Sequence, residues 1–385
     1  MRSHSTAEQD SARLFSNARN LARQYAFSDY RIDFFPTETG DSAICLRYGT
    51  PTFQRTLVYD AGTTATGNAI VDHIRNQYGT NTVHDLICSH PGTDSIAGAF
   101  PILDGLKVER LWMHRPWLHS RRIASYFASG FDFDPVIWKH YQDAFAMSLA
   151  LEEVAFEQNV LVTEPFQGEL IGPMVVMSPH RDWYRHRLIL DFENPPPVKR
   201  CISHDLARLL RMPGLAHSER DERVRQDSLE NESLTEWGEV TAEMESSVVL
   251  YGVIGGEGIV LTGNAGIKAL SNAAAFAERE RLFVSSTLKF FQVPNGGDAN
   301  HLSPSVLDRI VGPKLLPAES RPSVSAFVST SPKYGGMPYE AVTNALSRRG
   351  VSAFQPMCDA NTLCSFPFEE SGALKEIIPT WGKAS

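Results

Sequence analysis

Ser89-His90-Pro91-Gly92-Thr93-Asp94-Ser95-Ile96-Ala97-Gly98 follows directly on the apolar run Leu86-Ile87-Cys88. An apolar run, a His- and Asp-bearing loop and then small residues that let a helix begin close by read as strand, ligand loop and helix. Loops of this kind build metal sites, because imidazole and carboxylate groups at short spacing can converge on one ion. Here the loop supplies His90 and Asp94. Gly92 between them has no side chain, and Ser95 offers a neutral hydroxyl that zinc accepts poorly beside imidazole, thiolate or carboxylate.

Outward from this loop the pattern alternates strands and helices. Residues 1–28 carry helical spacing at Leu14, Ala18, Leu21, Ala22 and Tyr25 and are expected to form an N-terminal helix, followed by one domain over 29–385. Asp33–Leu46 and Thr56–Gly62 predict paired strands around a Gly/Pro turn, Ala69–Gln77 a helix, and Leu86–Ser89 the next strand. Residues 112–158 are aromatic-rich and predict a helical insertion whose rings pack in the core. Residues 194–245 open with three prolines and run through dense charge, which predicts a second insertion with flexible ends. Ser246–Val253 and Ile259–Gly266 predict a second hairpin around Gly255–Gly258. Ile267–Arg281 predicts a helix, Thr287–Val293 a strand, and Ser325–Ser329 with the helix Tyr339–Arg349 is expected to close the domain.

The bulk properties narrow the function classes. A hydrophobic fraction of 42% over 385 residues supports a folded chain with a large core. No run approaches the roughly 18 to 20 apolar residues that span a bilayer, and the polar start lacks an apolar signal core, so a cytoplasmic protein is expected. Five scattered cysteines fit reduced thiols rather than a disulfide framework or a zinc ribbon. A net charge of −9 argues against nonspecific nucleic-acid binding.

Several strings in order resemble the metallo-β-lactamase fold, in particular the domain of ComEC-type competence proteins and their stand-alone soluble relatives. Thr39-Gly40-Asp41-Ser42 is similar to that family's opening hairpin, Val58-Tyr59-Asp60-Ala61-Gly62 to its second strand, and Ser89–Gly98 to its first metal motif. Ser246–Leu250, Leu261-Thr262-Gly263-Asn264-Ala265 and Val293-Pro294-Asn295-Gly296-Gly297 resemble the strand entering the second half, the Leu-Thr-Gly-Asp loop and the His-His-Gly turn. The resemblance covers about residues 30–355 and implies an α/β protein, a metallo-β-lactamase-like αββα sandwich carrying the helical and charged insertions.

With a full ligand set, the family's fold would hold two Zn²⁺ or Mn²⁺ ions that activate a water for attack on a phosphoryl or acyl centre. Relative to that pattern the second slot is Gly92, the histidine after Asp94 is Ser95, the bridging aspartate is Asn264, and the paired histidines are Asn295-Gly296. His90, Asp94, Ser95, Asn264 and Asn295 are therefore expected to be a remnant site with no catalytic residue, no metal and no cofactor. The resemblance then implies a pseudo-hydrolase that binds a protein partner, or a small phosphorylated ligand, as a binding or scaffold component. Stand-alone relatives in multi-protein bacterial defence systems extend this to an antiviral assembly by analogy. The alternative is a metal-dependent hydrolase of phosphodiesterase or nuclease type, its Zn or Mn site reduced or relocated with the help of His180, His301, His114 or His119. A serine hydrolase on Ser95 is disfavoured, because no Gly-x-Ser-x-Gly elbow surrounds it.

Overall fold

Period-2 patterning builds the first sheet. In the antiparallel strands β1 (Asp29–Pro36), β2 (Ser42–Thr50) and β3 (Phe53–Tyr59), Ile32, Phe34, Ile44, Leu46, Leu57 and Tyr59 face one side, while Phe35, Ala43, Cys45 and Val58 face the other. Strands that are apolar on both faces must be covered on both. β4 (Thr82–Ile87), β5 (Lys107–Trp112) and β6 (Leu161–Thr163) extend this sheet in parallel. Their crossovers are α1 (Thr64–Asn76), α2 (Ala99–Gly105), and the pair α3 (Asp134–Ala144) and α4 (Ala146–Glu157). These features belong to a computed structural model that describes residues 27–37, 42–92, 96–120, 134–192, 232–282, 284–315, 324–329, 339–356, 364–367 and 374–377.

The second sheet starts with β7 (Leu170–Ile171), β8 (Met174–Ser178), β9 (Val249–Ile254) and β10 (Glu257–Leu261), all antiparallel. β11 (Leu288–Gln292), β12 (Val324–Phe327) and β13 (Val351–Pro356) continue it in parallel from β10. Two late strands finish the edges: β14 (Cys364–Phe366) pairs with β1 in the first sheet, and β15 (Leu374–Glu376) pairs with β13 in the second. The chain is thus α/β with two mixed sheets, ordered β14-β1-β2-β3-β4-β5-β6 and β15-β13-β12-β11-β10-β9-β8-β7.

One apolar core lies between the sheets, where Phe34, Leu46, Tyr59 and Trp112 meet Met174, Val176, Leu250, Leu261, Phe290 and Phe327. A second lines the outer face of the first sheet, with Ile70 and Ile74 of α1, Ile102 and Leu103 of α2, Tyr141 of α3 and Leu151 of α4. The third covers the outer face of the second sheet with α7 (Ile267–Glu280), α9 (Pro304–Ile310) and α10 (Glu340–Ser347). Alanines 269, 273 and 277 make the buried stripe of α7, small side chains that let this helix lie close to the strands beneath it.

Several expectations change against this architecture. Residues 1–26 lie outside the described residues, so the N-terminal helix is not placed, and residues 27–28 are irregular. The aromatic insertion begins after 112, since Trp112 ends β5 and its indole donates to buried Asp85 at 2.8 Å. Trp117 and Tyr141 are core residues, Trp138 and Phe156 are exposed, and Tyr126 and Phe127 lie outside the described residues. Of the expected charged insertion, residues 194–231 lie outside the described residues, and 232–245 make contacts with the rest of the domain. Leu234 is buried, Glu232 pairs with the fully buried guanidinium of Arg349 at 2.8 Å, and α6 (Ala242–Glu245) packs on the domain. A charge pattern cannot distinguish a solvated run from one whose carboxylates find buried partners. The domain also continues past α10 through three further strands.

Candidate functional site

The parallel strands of both sheets deliver their carboxyl ends to one place, where α/β sheets commonly place ligands. At the end of β4, Cys88 N–H bonds the Trp112 carbonyl at 2.9 Å and Ser89 N–H bonds Asp60 Oδ1 at 2.7 Å. Asp60, just past β3, holds this turn from a left-handed backbone (φ 54°), a conformation a short carboxylate side chain tolerates. The sheets are joined here, because Val248 N–H donates to the Ser89 carbonyl at 3.0 Å and the Tyr59 hydroxyl donates to the Val248 carbonyl at 2.6 Å.

From the second sheet, the turn after β10 is fixed by Gln292 of β11. Its Oε1 accepts from Thr262 N–H at 2.8 Å and Gly263 N–H at 3.1 Å. Gly263 has φ 55°, and a Cβ there would lie 2.7 Å from Ser89 Oγ, so the two loops touch through a position that excludes a side chain. Asn295 N–H reaches the Gly263 carbonyl at 3.3 Å from another left-handed backbone (φ 43°).

These turns bring together three of the five expected site residues. His90 Nδ1 lies 3.0 Å from Ser89 Oγ, and Asn264 Nδ2 is 3.4 Å from His90 Nε2. Asn295 Nδ2 donates to His301 Nε2 at 2.9 Å, and His301 Nδ1 donates to the Ala265 carbonyl at 3.3 Å. A carbonyl only accepts, so Nδ1 of His301 carries the proton and Nε2 offers its lone pair to the amide. The Nε2 atoms of His90 and His301 are thus each engaged by an asparagine amide. Gly92 is part of the same arrangement, since a Cβ there would stand 2.6 Å from His90 Nε2. Asp94 and Ser95 lie outside the described residues.

The other histidines stand apart. His180 Nδ1 accepts from Asp182 N–H at 3.2 Å and caps α5 (Arg181–His186). His119 Nε2 donates to Glu164 at 2.9 Å while Arg185 donates to its Nδ1 at 3.2 Å. His114 is stacked on Tyr184 with ring centroids 4.5 Å apart, and burial lowers its pKa to about 3. Both of its ring nitrogens are buried without a hydrogen-bond partner among the described residues.

Among the described residues no three His, Cys, Asp or Glu side chains come together as a metal-holding group. Among the described residues at this end of the sheets, Gly92, Asn264 and Asn295 offer no carboxylate or imidazole, so they do not fit the dinuclear centre that the family resemblance would imply. Nor do Ser89 and His90 make a nucleophile and base, because Ser89 is fully buried.

The rim is acidic. The carboxylate of Glu245 accepts from Ala269 N–H at 2.7 Å and Lys268 N–H at 3.3 Å, capping α7 just beyond Asn264-Ala265-Gly266. A Cβ on Gly266 would come within 2.5 Å of it. Burial raises the pKa of Glu245, and the two amides oppose that rise. Sequence reading missed Asp60's and Gln292's work in shaping the loops and Glu245's capping, because each depends on backbone groups remote in sequence. The Asp60-Ala61-Gly62 string was the available signal for the first. No protein-family model matches the chain, and the search of curated proteins found no match.

Proposed function

We propose that the chain is a catalytically degenerate member of the metallo-β-lactamase fold that acts as a binding or scaffold component of a multi-protein assembly. The observation that carries this reading is the mutual engagement of the cleft's polar groups, His90 with Ser89 and Asn264, and His301 with Asn295 and Ala265. Catalytic metal sites keep ligand nitrogens directed at an ion and leave an open position for water. In this reading the amides of Asn264 and Asn295 engage the imidazole nitrogens that an ion would otherwise use, and the cluster is held by hydrogen bonds. The helix, sheet, sheet, helix layering and the convergence of loops after β4, β10 and β11 agree with the family reading. A retained fold with a neutralised centre suits recognition of a partner.

Mass spectrometry of protein exchanged into Zn²⁺ and Mn²⁺ and then gel-filtered tests this reading, together with turnover of bis-p-nitrophenyl phosphate. The expected result is substoichiometric metal and no turnover above that of a His90→Ala/Asn264→Ala variant. Stoichiometric metal with turnover that His90→Ala abolishes would overturn the reading in favour of a hydrolase with a reduced site.

A further inference from the structure

Residues 232–241, a stretch without regular secondary structure, run against the loop that carries Asn295 and His301. Both ends of the stretch are firmly anchored. At the first, the carboxylate of Glu232 accepts from the fully buried guanidinium of Arg349 at 2.8 Å and pairs with Lys314 at 2.6 Å. Arg349 also donates to the Ala345 carbonyl of α10 at 2.8 Å and to Asp308 of α9 at 2.9 Å, and Leu234 is buried in the core beneath these helices. At the second, Thr241 caps α6 by accepting from Met244 N–H at 3.3 Å, and buried Glu245 caps α7. Parting a buried carboxylate from its donors is costly, so both ends stay in place.

The middle is fastened differently. Among the described residues, hydrogen bonds tie residues 235–240 to the rest of the domain at one place, where Glu236 accepts from the Ser305 amide at 3.2 Å and from its hydroxyl. That place is exposed, and hydrogen bonds in contact with water contribute little net stability. Trp237 is 65% exposed, so its ring adds little burial to hold the middle down. Gly238 lies against Asn300, where a Cβ would stand 2.0 Å from the carbonyl oxygen. Asn300 N–H bonds the Asp298 carboxylate at 2.9 Å, and the next residue, His301, bonds the Asp298 carbonyl through its N–H at 3.1 Å. A shift at Asn300 is therefore passed to the His301 ring and to Asn295, whose amide meets it at 2.9 Å.

We infer that residues 235–241 are a strap, fixed at both ends, that holds His301 on Asn295 when seated and lets the two part when lifted. Segments held by few buried contacts open below the free energy of global unfolding, and here the weakly held middle bears directly on a loop of the cleft. A partner that prefers the parted pair would shift the balance toward the lifted strap by that preference. This regulatory sense rests on the binding reading given above, whereas the coupling of strap to loop does not.

Amide hydrogen exchange read by mass spectrometry, together with histidine NMR, tests the strap on the full chain. In the native protein, residues 235–240 and 294–301 should exchange as a unit and faster than β9 and β10. Gly238→Ala, whose added methyl displaces the strap, should speed exchange in both segments on the order of tenfold and move the His301 resonances, with those of His90 unchanged. Ser305→Ala, a milder change that takes the hydroxyl from Glu236, should speed both segments severalfold. Faster exchange of the strap alone, with residues 294–301 and the His301 resonances unmoved, would overturn the inference. Native exchange of the strap as slow as that of β9 would overturn it too, as would a uniform rise across β9 and β11 in both variants, which marks global unfolding. Metal-dependent turnover, by contrast, would sink the binding reading and leave the coupling standing.

Discussion

Asp33 and the His90–Asn264 cleft are both buried polar clusters, yet they are stabilised in opposite ways. Asp33, fully buried on β1, keeps its charge and is surrounded by donors: His73 at 2.9 Å, Arg31 at 2.9 Å, and the hydroxyls of Tyr78 and Ser365. Burial alone would raise its pKa, but hydrogen bonds from His73, Ser365, Tyr78 and Arg31 outweigh that and hold it at about 2. The second cluster instead relies on contacts between amides and imidazoles at 2.9 to 3.4 Å. One cluster is a structural anchor that requires its charge; the other is held together by amide and imidazole hydrogen bonds.

The sharpest way to break this contrast is Asp33→Ala. It leaves four donors facing a buried void and should cost about 3–5 kcal/mol in chemical denaturation, whereas His90→Ala should cost about 1–2 kcal/mol. Similar losses at the two positions would erase the distinction. The pH dependence separates them further. Asp33 is lowered from 3.8 to about 2, so its stabilisation is complete above pH 3.8 and disappears as pH falls through 2.

His114 produces a loss at higher pH. Its folded pKa of about 3 lies below the ordinary 6.5, so the unfolded chain takes up a proton that the folded chain refuses. Stability should fall by up to about 1.4 kcal/mol per pH unit from 6.5 toward 3, and His114→Phe should flatten that slope. An unchanged slope in the variant would assign the acid sensitivity elsewhere. Glu245→Ala, which removes the cap on α7, should cost about 1–2 kcal/mol, with the difference shrinking in high sulfate as the anion enters the vacated helix end. The smallest effect is expected for Gly92→Ala, about 1 kcal/mol or less in thermal melts, because the imidazole tip of His90 can turn aside. Its value is diagnostic: histidine NMR should show the His90–Asn264 contact broken while the His301 signals stay in place.

Much of the fold is legible in the sequence because periodicity is local. The β9–β10 hairpin, α7 and the strand–loop–helix around residues 86–105 follow from apolar spacing and turn glycines. The convergence of His90, Asn264 and Asn295 is not legible in local spacing, because it depends on the turns after β4, β10 and β11 meeting across the two sheets. What the sequence hides is pairing at long range. Glu232 with Arg349 and Asp33 with Ser365 are separated by 117 and 332 residues, and nothing local marks those carboxylates as buried. Cys364–Phe366 and Leu374–Glu376 are strands of three residues each, too short to carry a period.

The path of the late strands reaches beyond stability. β13 belongs to the second sheet, β14 crosses to the first beside β1, and β15 returns to the second. β1 therefore waits, during synthesis, for a neighbour that leaves the ribosome more than 320 residues later, as the Ile32↔Phe366 pairing requires. Until then, among the described residues, that side of β1 has no partner strand and forms a bare margin, and Asp33 lacks the Ser365 hydroxyl. A nascent chain stalled before Cys364 should expose this margin to chaperones, and release from them would report the arrival of β14.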